Sequence, residues 1–163
     1  MSLATTILQT EVAAEWLDDN GHMYDTEYGR LFCIASNCLM DGIGLDTQGR
    51  QTYDCTLYTL ETHVRYLGKV RQGEVLKVTN RILDRDAKRI HAFFSIYRAD
   101  GQLIATGERL FIAMSTTTRR PTTLPEAVQK RLDTYGQLAH SAWPAAAGRP
   151  MGIRKGDEIA SSG

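Results

Sequence analysis

Between Tyr53 and Met114 the chain carries four successive stretches of strand periodicity with no helical pattern between them. That run decides most of the fold, because parallel neighbours need a crossover of a dozen or more residues whereas antiparallel ones need only a turn. The intervening segments are turn-sized: Gln72-Gly73, the charged Asp84-Arg85-Asp86-Ala87-Lys88, and Asp100-Gly101, which predicts a type I′ hairpin. The strands are expected at Tyr53–Leu67, Glu74–Leu83, Arg89–Arg98 and Gln102–Met114. In the first of them alternation puts Tyr58, Leu60, Val64 and Tyr66 on one face and Glu61, His63 and Arg65 on the other. In the third, Ile90, Ala92, Phe94 and Ile96 share a face. Gly107 falls mid-strand, which predicts a bulge or a close approach by another element.

Ahead of this run lies one strong helical pattern. Tyr24, Tyr28, Leu31, Phe32, Ala35 and Leu39 recur at helical intervals and give an amphipathic helix of about five turns. It closes near Gly42 and Gly44. Thr5 to about Trp16 reads as an additional first strand, and residues 45–52 as a polar loop. Thr123-Leu124-Pro125-Glu126 has the form of a capping box and predicts a helix carrying Val128, Leu132, Tyr135 and Ala139. The expected class is therefore α+β: a five-stranded antiparallel sheet with one long helix on one face and a C-terminal helix. Residues 1–140 form one domain, and the Ala/Gly/Pro-rich residues 141–163 a tail or an arm onto a partner. Such a sheet has a second face to cover, and self-association is the economical way to do so.

With 163 residues the chain has the size of one domain with a core of its own. Lys+Arg and Asp+Glu number 19 each, so no global field draws nucleic acid or an anionic membrane, and no apolar run is long enough to span a bilayer. Cys33 and Cys38 lie about 140° apart around a helix, so they do not converge on a metal. No His–Cys spacing suggests zinc, and Cys33, Cys38 and Cys55 read as reduced thiols of a soluble, cytoplasmic protein.

The chemistry concentrates in Trp16-Leu17-Asp18-Asp19-Asn20-Gly21-His22-Met23, where two carboxylates, a carboxamide, a turn glycine and an imidazole run straight into the long helix. An Asn-Gly turn needs no function, and Asp18 and Asp19 read equally as cap and loop residues. A helix start also offers free amides and the positive end of a dipole, which suits a developing oxyanion.

Three motifs together bear a resemblance. Trp16-x-Asp18-x-Asn20-Gly21-His22-Met23, Glu61-x-His63-Val64-Arg65-Tyr66-Leu67 and Asp86-Ala87-Lys88-Arg89-x-His91 resemble the hot-dog fold acyl-CoA thioesterases of the 4-hydroxybenzoyl-CoA thioesterase type, the betainyl-CoA thioesterases above all. Tyr24 stands where the betainyl-CoA group commonly has Asn. The resemblance spans about residues 10–140 and implies a sheet wrapped around the long helix, and hydrolysis of an acyl-CoA to free acid and CoA. It implies Asp18 as nucleophile or general base, assisted by Asn20, His22 and Glu61, with the amides of Met23, Tyr24 and Asp25 as oxyanion hole. Trp16, Tyr28, His63 and Tyr66 would contact the acyl group, with Trp16, Tyr24, Tyr28 and Tyr66 able to cradle a trimethylammonium. The basic clusters supply Arg65, Lys69, Arg71, Lys88 and Arg89 for the CoA phosphates. No metal and no separate cofactor is implied, coenzyme A being part of the substrate; the partner is a second copy, in a homodimer or homotetramer. Two rivals remain at this stage, a hot-dog enoyl-CoA hydratase and a non-catalytic acyl-CoA binding protein. The hydratase pattern, Asp-x-Asn-Pro-x-His, differs here in the missing proline and the nearer His22.

Overall fold

The computed structural model describes residues 4–155. Five strands, β1 (Thr5–Glu11), β2 (Thr56–Tyr66), β3 (Val75–Arg85), β4 (Arg89–Arg98) and β5 (Leu103–Met114), form one sheet in the order β1-β3-β4-β5-β2, every pair antiparallel. The helix α1 (Asp25–Gly42) lies against one face of it, as the periodicity requires. Tyr28, Leu31, Phe32, Ala35 and Leu39 are buried, whereas Tyr24 caps the helix and stays half exposed. Opposite them the inward parity of β4, Ile90, Ala92, Phe94 and Ile96, is fully buried.

Gly107 is the seat of the helix. A Cβ built there would stand 2.7 Å from the Phe32 ring, so the expected close approach is real, and its cause is α1. Phe94, the register partner of Gly107, completes the contact with its ring 6.3 Å from that of Phe32. A second tie lies one turn on. The buried Arg109 guanidinium donates to Ser36 Oγ (3.1 Å) and Cys33 Sγ (3.2 Å), joining β5 to the helix.

Several local expectations are corrected. β1 ends at Glu11, and Ala14–Trp16 form a 3₁₀ turn instead of more strand. Residues 45–52 are not a loop: Thr47–Tyr53 form the helix α2, capped by Asp46, whose Oδ1 accepts from the Gly49 amide at 2.7 Å. With no apolar stripe, α2 leaves no periodic signal, and β2 starts later than expected because α2 occupies Tyr53. Register slips between Thr59 and Glu61, making Leu60 a bulge. Tyr58 therefore shares the outer face with Glu61, His63 and Arg65, while Val64 and Tyr66 face the helix side. At Asp100-Gly101 only the glycine has positive φ (87°), and the Arg98 amide donates to Gln102 O at 3.0 Å, so the turn is not type I′ but a three-residue loop. The helix α3 (Glu126–Tyr135) buries Val128 and Leu132 but makes no side-chain cap bond, and it stops at Gly136, before Ala139. The capping box is not formed.

Residues 137–149 fold back along the outer face as a strap. The Leu138 amide donates to Ile82 O (3.1 Å), Trp143 meets the His91 ring edge-on at 5.2 Å, and the Gly148 amide donates to Glu108 Oε1 (2.8 Å). Residues 1–3 and 156–163, the latter part of the expected tail, lie outside the described residues.

Gly107→Ala tests the helix seat. Overpacking of this kind costs about 1–3 kcal/mol, to be read from the denaturant midpoint, and Phe32→Leu in the same chain should recover part of the loss; an unchanged midpoint would show that the ring is not held there.

Candidate active site

Trp16 to Tyr24 form a pinched loop between the 3₁₀ turn and α1. The Asp18 amide donates to His22 O (2.8 Å), the Tyr24 amide to Trp16 O (3.0 Å) and the Gly21 amide to Asp18 O (2.9 Å). Gly21 has φ 76°, the left-handed conformation glycine adopts at little cost. Asp18 organises the loop from within: its Oδ1 accepts from the amides of Asn20 (2.8 Å) and His22 (3.0 Å). The His22 amide bond, with that of Asn20 and the His22 charge, outweighs desolvation and holds the Asp18 carboxyl below its ordinary range. Oδ2 accepts no bond among the described residues.

The oxyanion expectation is narrowed by this pairing. The Tyr24 amide is spent on Trp16 O and does not face a ligand. The amides of Met23 and Asp25 donate to nothing among the described residues, which leaves two free donors at the helix mouth. Tyr66 sits close by, its ring edge-on to Tyr28 at 5.4 Å. Burial and then the Asp25 charge raise the Tyr66 hydroxyl above its usual range.

Asn20, Gly21 and His22 line a cleft of about 820 Å³ together with Lys69, Arg71 and Arg98 and the carboxylates of Glu74 and Asp100, the latter paired with Arg98. Asp18 is not a wall residue; it holds the loop that is. The basic wall is fastened to the same end of the sheet: the Gly73 amide donates to Val12 O (2.9 Å) and the Arg71 amide to Glu74 Oε2 (2.7 Å). Arg98 clamps it, donating through Nη1 to Lys69 O (3.2 Å) and through Nη2 to Asp100 (3.1 Å) and to Gln102. The sequence reading missed Arg98, although its place at a strand end beside the Asp100-Gly101 turn was available as a signal.

The other expected site residues disperse. Trp16 carries the Arg30 guanidinium over its ring at 4.6 Å, and Tyr28 is core, its hydroxyl turned to Gly68 O (3.4 Å). Tyr24 and Tyr66 are half exposed, and of the four aromatics Tyr28 and Tyr66 are in ring contact. Glu61 and His63 lie on the outer face, lining a hollow with His91 and Glu108. Burial would raise the Glu108 carboxyl, but the His91 bond (2.7 Å), the Gly148 amide and the charges of His91 and His63 bring it below its usual range. Arg65 is on that outer face too. Lys88 and Arg89 stand at the far end of β4, about 30 Å along the strand from Arg98, where Arg89 pairs with Asp86 (2.5 Å). Of the expected basic residues, Lys69 and Arg71 alone share the cleft with the loop. Burial and then the Asp54 charge push the Cys55 thiol to about 11, Cys38 is half-buried and Cys33 exposed. Among the described residues no group of three metal-ligating side chains converges, and no helix is long and apolar enough to cross a membrane.

A helix seated in a five-stranded antiparallel sheet, with a polar loop at its mouth, is the hot-dog arrangement. Residues 12–132 match the model of the thioesterase-like superfamily, and the chain belongs to that family. It is 34% identical to the betainyl-CoA thioesterase of Pseudomonas aeruginosa over 94% of its own length and 98% of that protein's. It is also 34% identical to an L-carnitine dehydrogenase/betainyl-CoA thioesterase of Agrobacterium fabrum, matching 90% of this chain and 30% of that longer one. A Staphylococcus aureus protein solved in complex with CoA superposes with a TM-score of 0.85 at 31% identity, over 93% of this chain and 98% of that one.

The loop geometry makes a separable prediction. Asp18→Asn keeps an oxygen for the two amides and Asp18→Ala does not, so hydrogen exchange at Asn20 and His22 should quicken in the alanine variant alone. Equal exchange in both would show that Asp18 does not organise the loop.

Proposed function

We propose that this protein hydrolyses an acyl-CoA thioester to the free acid and CoA, with betainyl-CoA as its substrate. The observation that carries the reading is the cleft that Asn20, Gly21 and His22 line together with Lys69, Arg71 and Arg98. A reactive loop then lies within reach of a wall suited to nucleotide phosphates. The betainyl assignment is supported by the two relatives of that name and by Tyr24 and Tyr66, whose exposed rings offer a trimethylammonium cation–π contact.

In this mechanism the thioester carbonyl oxygen rests on the amides of Met23 and Asp25 at the positive end of α1. The Asp18 carboxylate takes the proton of an attacking water, or itself attacks the carbonyl carbon and forms a mixed anhydride that water then cleaves, releasing the acid and restoring Asp18. Asn20 orients the water, and His22 delivers the proton that the CoA thiolate takes as the carbon–sulfur bond breaks. The enzyme works as a homodimer in the cytoplasm, where its three unpaired thiols remain reduced. The seam runs along β2, an edge strand on which Tyr58 and Leu60 are half exposed and which also carries Glu61 and His63.

Thiol release from a panel containing betainyl-CoA, a straight-chain acyl-CoA and an enoyl-CoA is the test. Betainyl-CoA should give the highest kcat/KM. Asp18→Asn should lower kcat by on the order of a hundredfold or more, whereas Lys69→Ala with Arg71→Ala should act mainly on KM. Because the amide bonds favour the charged carboxylate, Asp18 takes up a proton only at lower pH. The rate should therefore persist as pH falls through the ordinary carboxylate range. Consumption of the enoyl-CoA without thiol release, or a folded Asp18→Asn variant with full kcat, would overturn the mechanism.

A further inference from the structure

We propose that the cavity beneath the C-terminal strap is a second binding site, for a small organic carboxylate with an apolar body. It lies on the outer face of the sheet, shares no lining residue with the thioester cleft, and does not depend on the reaction proposed there. Its volume is about 440 Å³, with residues of the strap such as Pro144 and Ala146 as roof and β-strand side chains as floor. That volume is within the range of small-molecule pockets.

Charge selects the ligand. Arg65 and Arg81 line the cavity, and no lining residue is acidic. Among the described residues neither guanidinium has a carboxylate partner, whereas Arg30, Arg85, Arg89 and Arg98 each have one. Both are partly buried, and a cation withdrawn from water without a counter-charge is costly. The floor between them adds donors of the same kind. Thr79, Ser95, Thr106 and Arg65 succeed one another in register across β3, β4, β5 and β2. Ser95 and Thr106 are largely buried, and their hydroxyls are not among the enclosed polar atoms left without a partner, so they open onto the cavity.

The two arginines stand on strands three spacings apart, about 14 Å, so they line different ends of the cavity. Planar forks of this kind match a carboxylate. Leu67, Phe93, Leu103 and the small apolar roof residues surround the remainder of the ligand with apolar surface, which favours a hydrocarbon body. A bare inorganic anion would leave those walls unfilled.

Calorimetric titration of the full chain with octanoate tests the assignment, with octylammonium as the charge control. Octanoate should bind and octylammonium should not. Arg81→Gln should weaken octanoate at least tenfold, and Ala146→Phe, which fills the cavity, should abolish binding. Saturating CoA should leave octanoate affinity unchanged. No binding at millimolar octanoate, equal affinity in Arg81→Gln, or competition by CoA would overturn the proposal, the last by moving the ligand to the cleft. If Ala146→Phe fails to fold, Arg81→Gln alone decides.

Discussion

Everything in this structure is arranged about the contact between the Phe32 ring and the bare backbone of Gly107. A helix pressed this closely into a sheet needs a gap in the side-chain layer, and one glycine in β5 supplies it. With Phe32 seated, the broad stripe from Tyr28 to Leu39 meets the inward residues of β3, β4 and β5, and one contiguous core results. Arg109 then reaches Ser36 and Cys33 from the same strand, fixing rotation of the helix as well as its depth. The seat also determines where the mouth of α1 lies. Its first turn is carried to the end of the sheet at which β4 closes on Arg98, beside the loop of Lys69 and Arg71.

The loop from Trp16 to Tyr24 follows from that placement. Asp18 is bound to the amides of Asn20 and His22, so one carboxylate oxygen is structural and the other is open. Fixing the carboxylate in this way also keeps it charged, which serves a base or a nucleophile. The loop's backbone pairing decides which amides remain for chemistry: Tyr24 is consumed, Met23 and Asp25 are not. The outer face is organised on separate terms, by Glu108 and His91 holding the strap, with the arginine-lined cavity beside them.

Much of the fold was legible because apolar side chains recur where burial demands it. The stripe of α1 and the inward parity of β4 could be read from residue order alone, and so could a close approach, or else a bulge, at Gly107. What escaped had no such signature. The helix α2 depends on the Asp46 cap and on a glycine whose added Cβ would fall 1.8 Å from Gly44 O. The Leu60 bulge exchanges the faces of half a strand without altering its composition, and so misassigned Tyr58. Within the site, Asp18, Asn20 and His22 were found together because they are adjacent in sequence. The basic residues were not separable by type: only the strand register shows that Lys69 and Arg71 join the cleft while Arg65, Lys88 and Arg89 lie elsewhere in the chain. Arg98 reached the cleft by the same register, which composition cannot reveal.

In the proposed function the mouth of α1 and the Lys69–Arg71 wall form one thioester site. A crystal structure with a non-hydrolysable thioether analogue of an acyl-CoA examines it directly. Phosphates are expected on Lys69 and Arg71, with the carbonyl oxygen within hydrogen-bond distance of the Met23 or Asp25 amide and the Asp18 carboxylate beside the carbonyl carbon. Phosphates bound at Lys88 and Arg89, or a carbonyl remote from the α1 N-terminus, would contradict it.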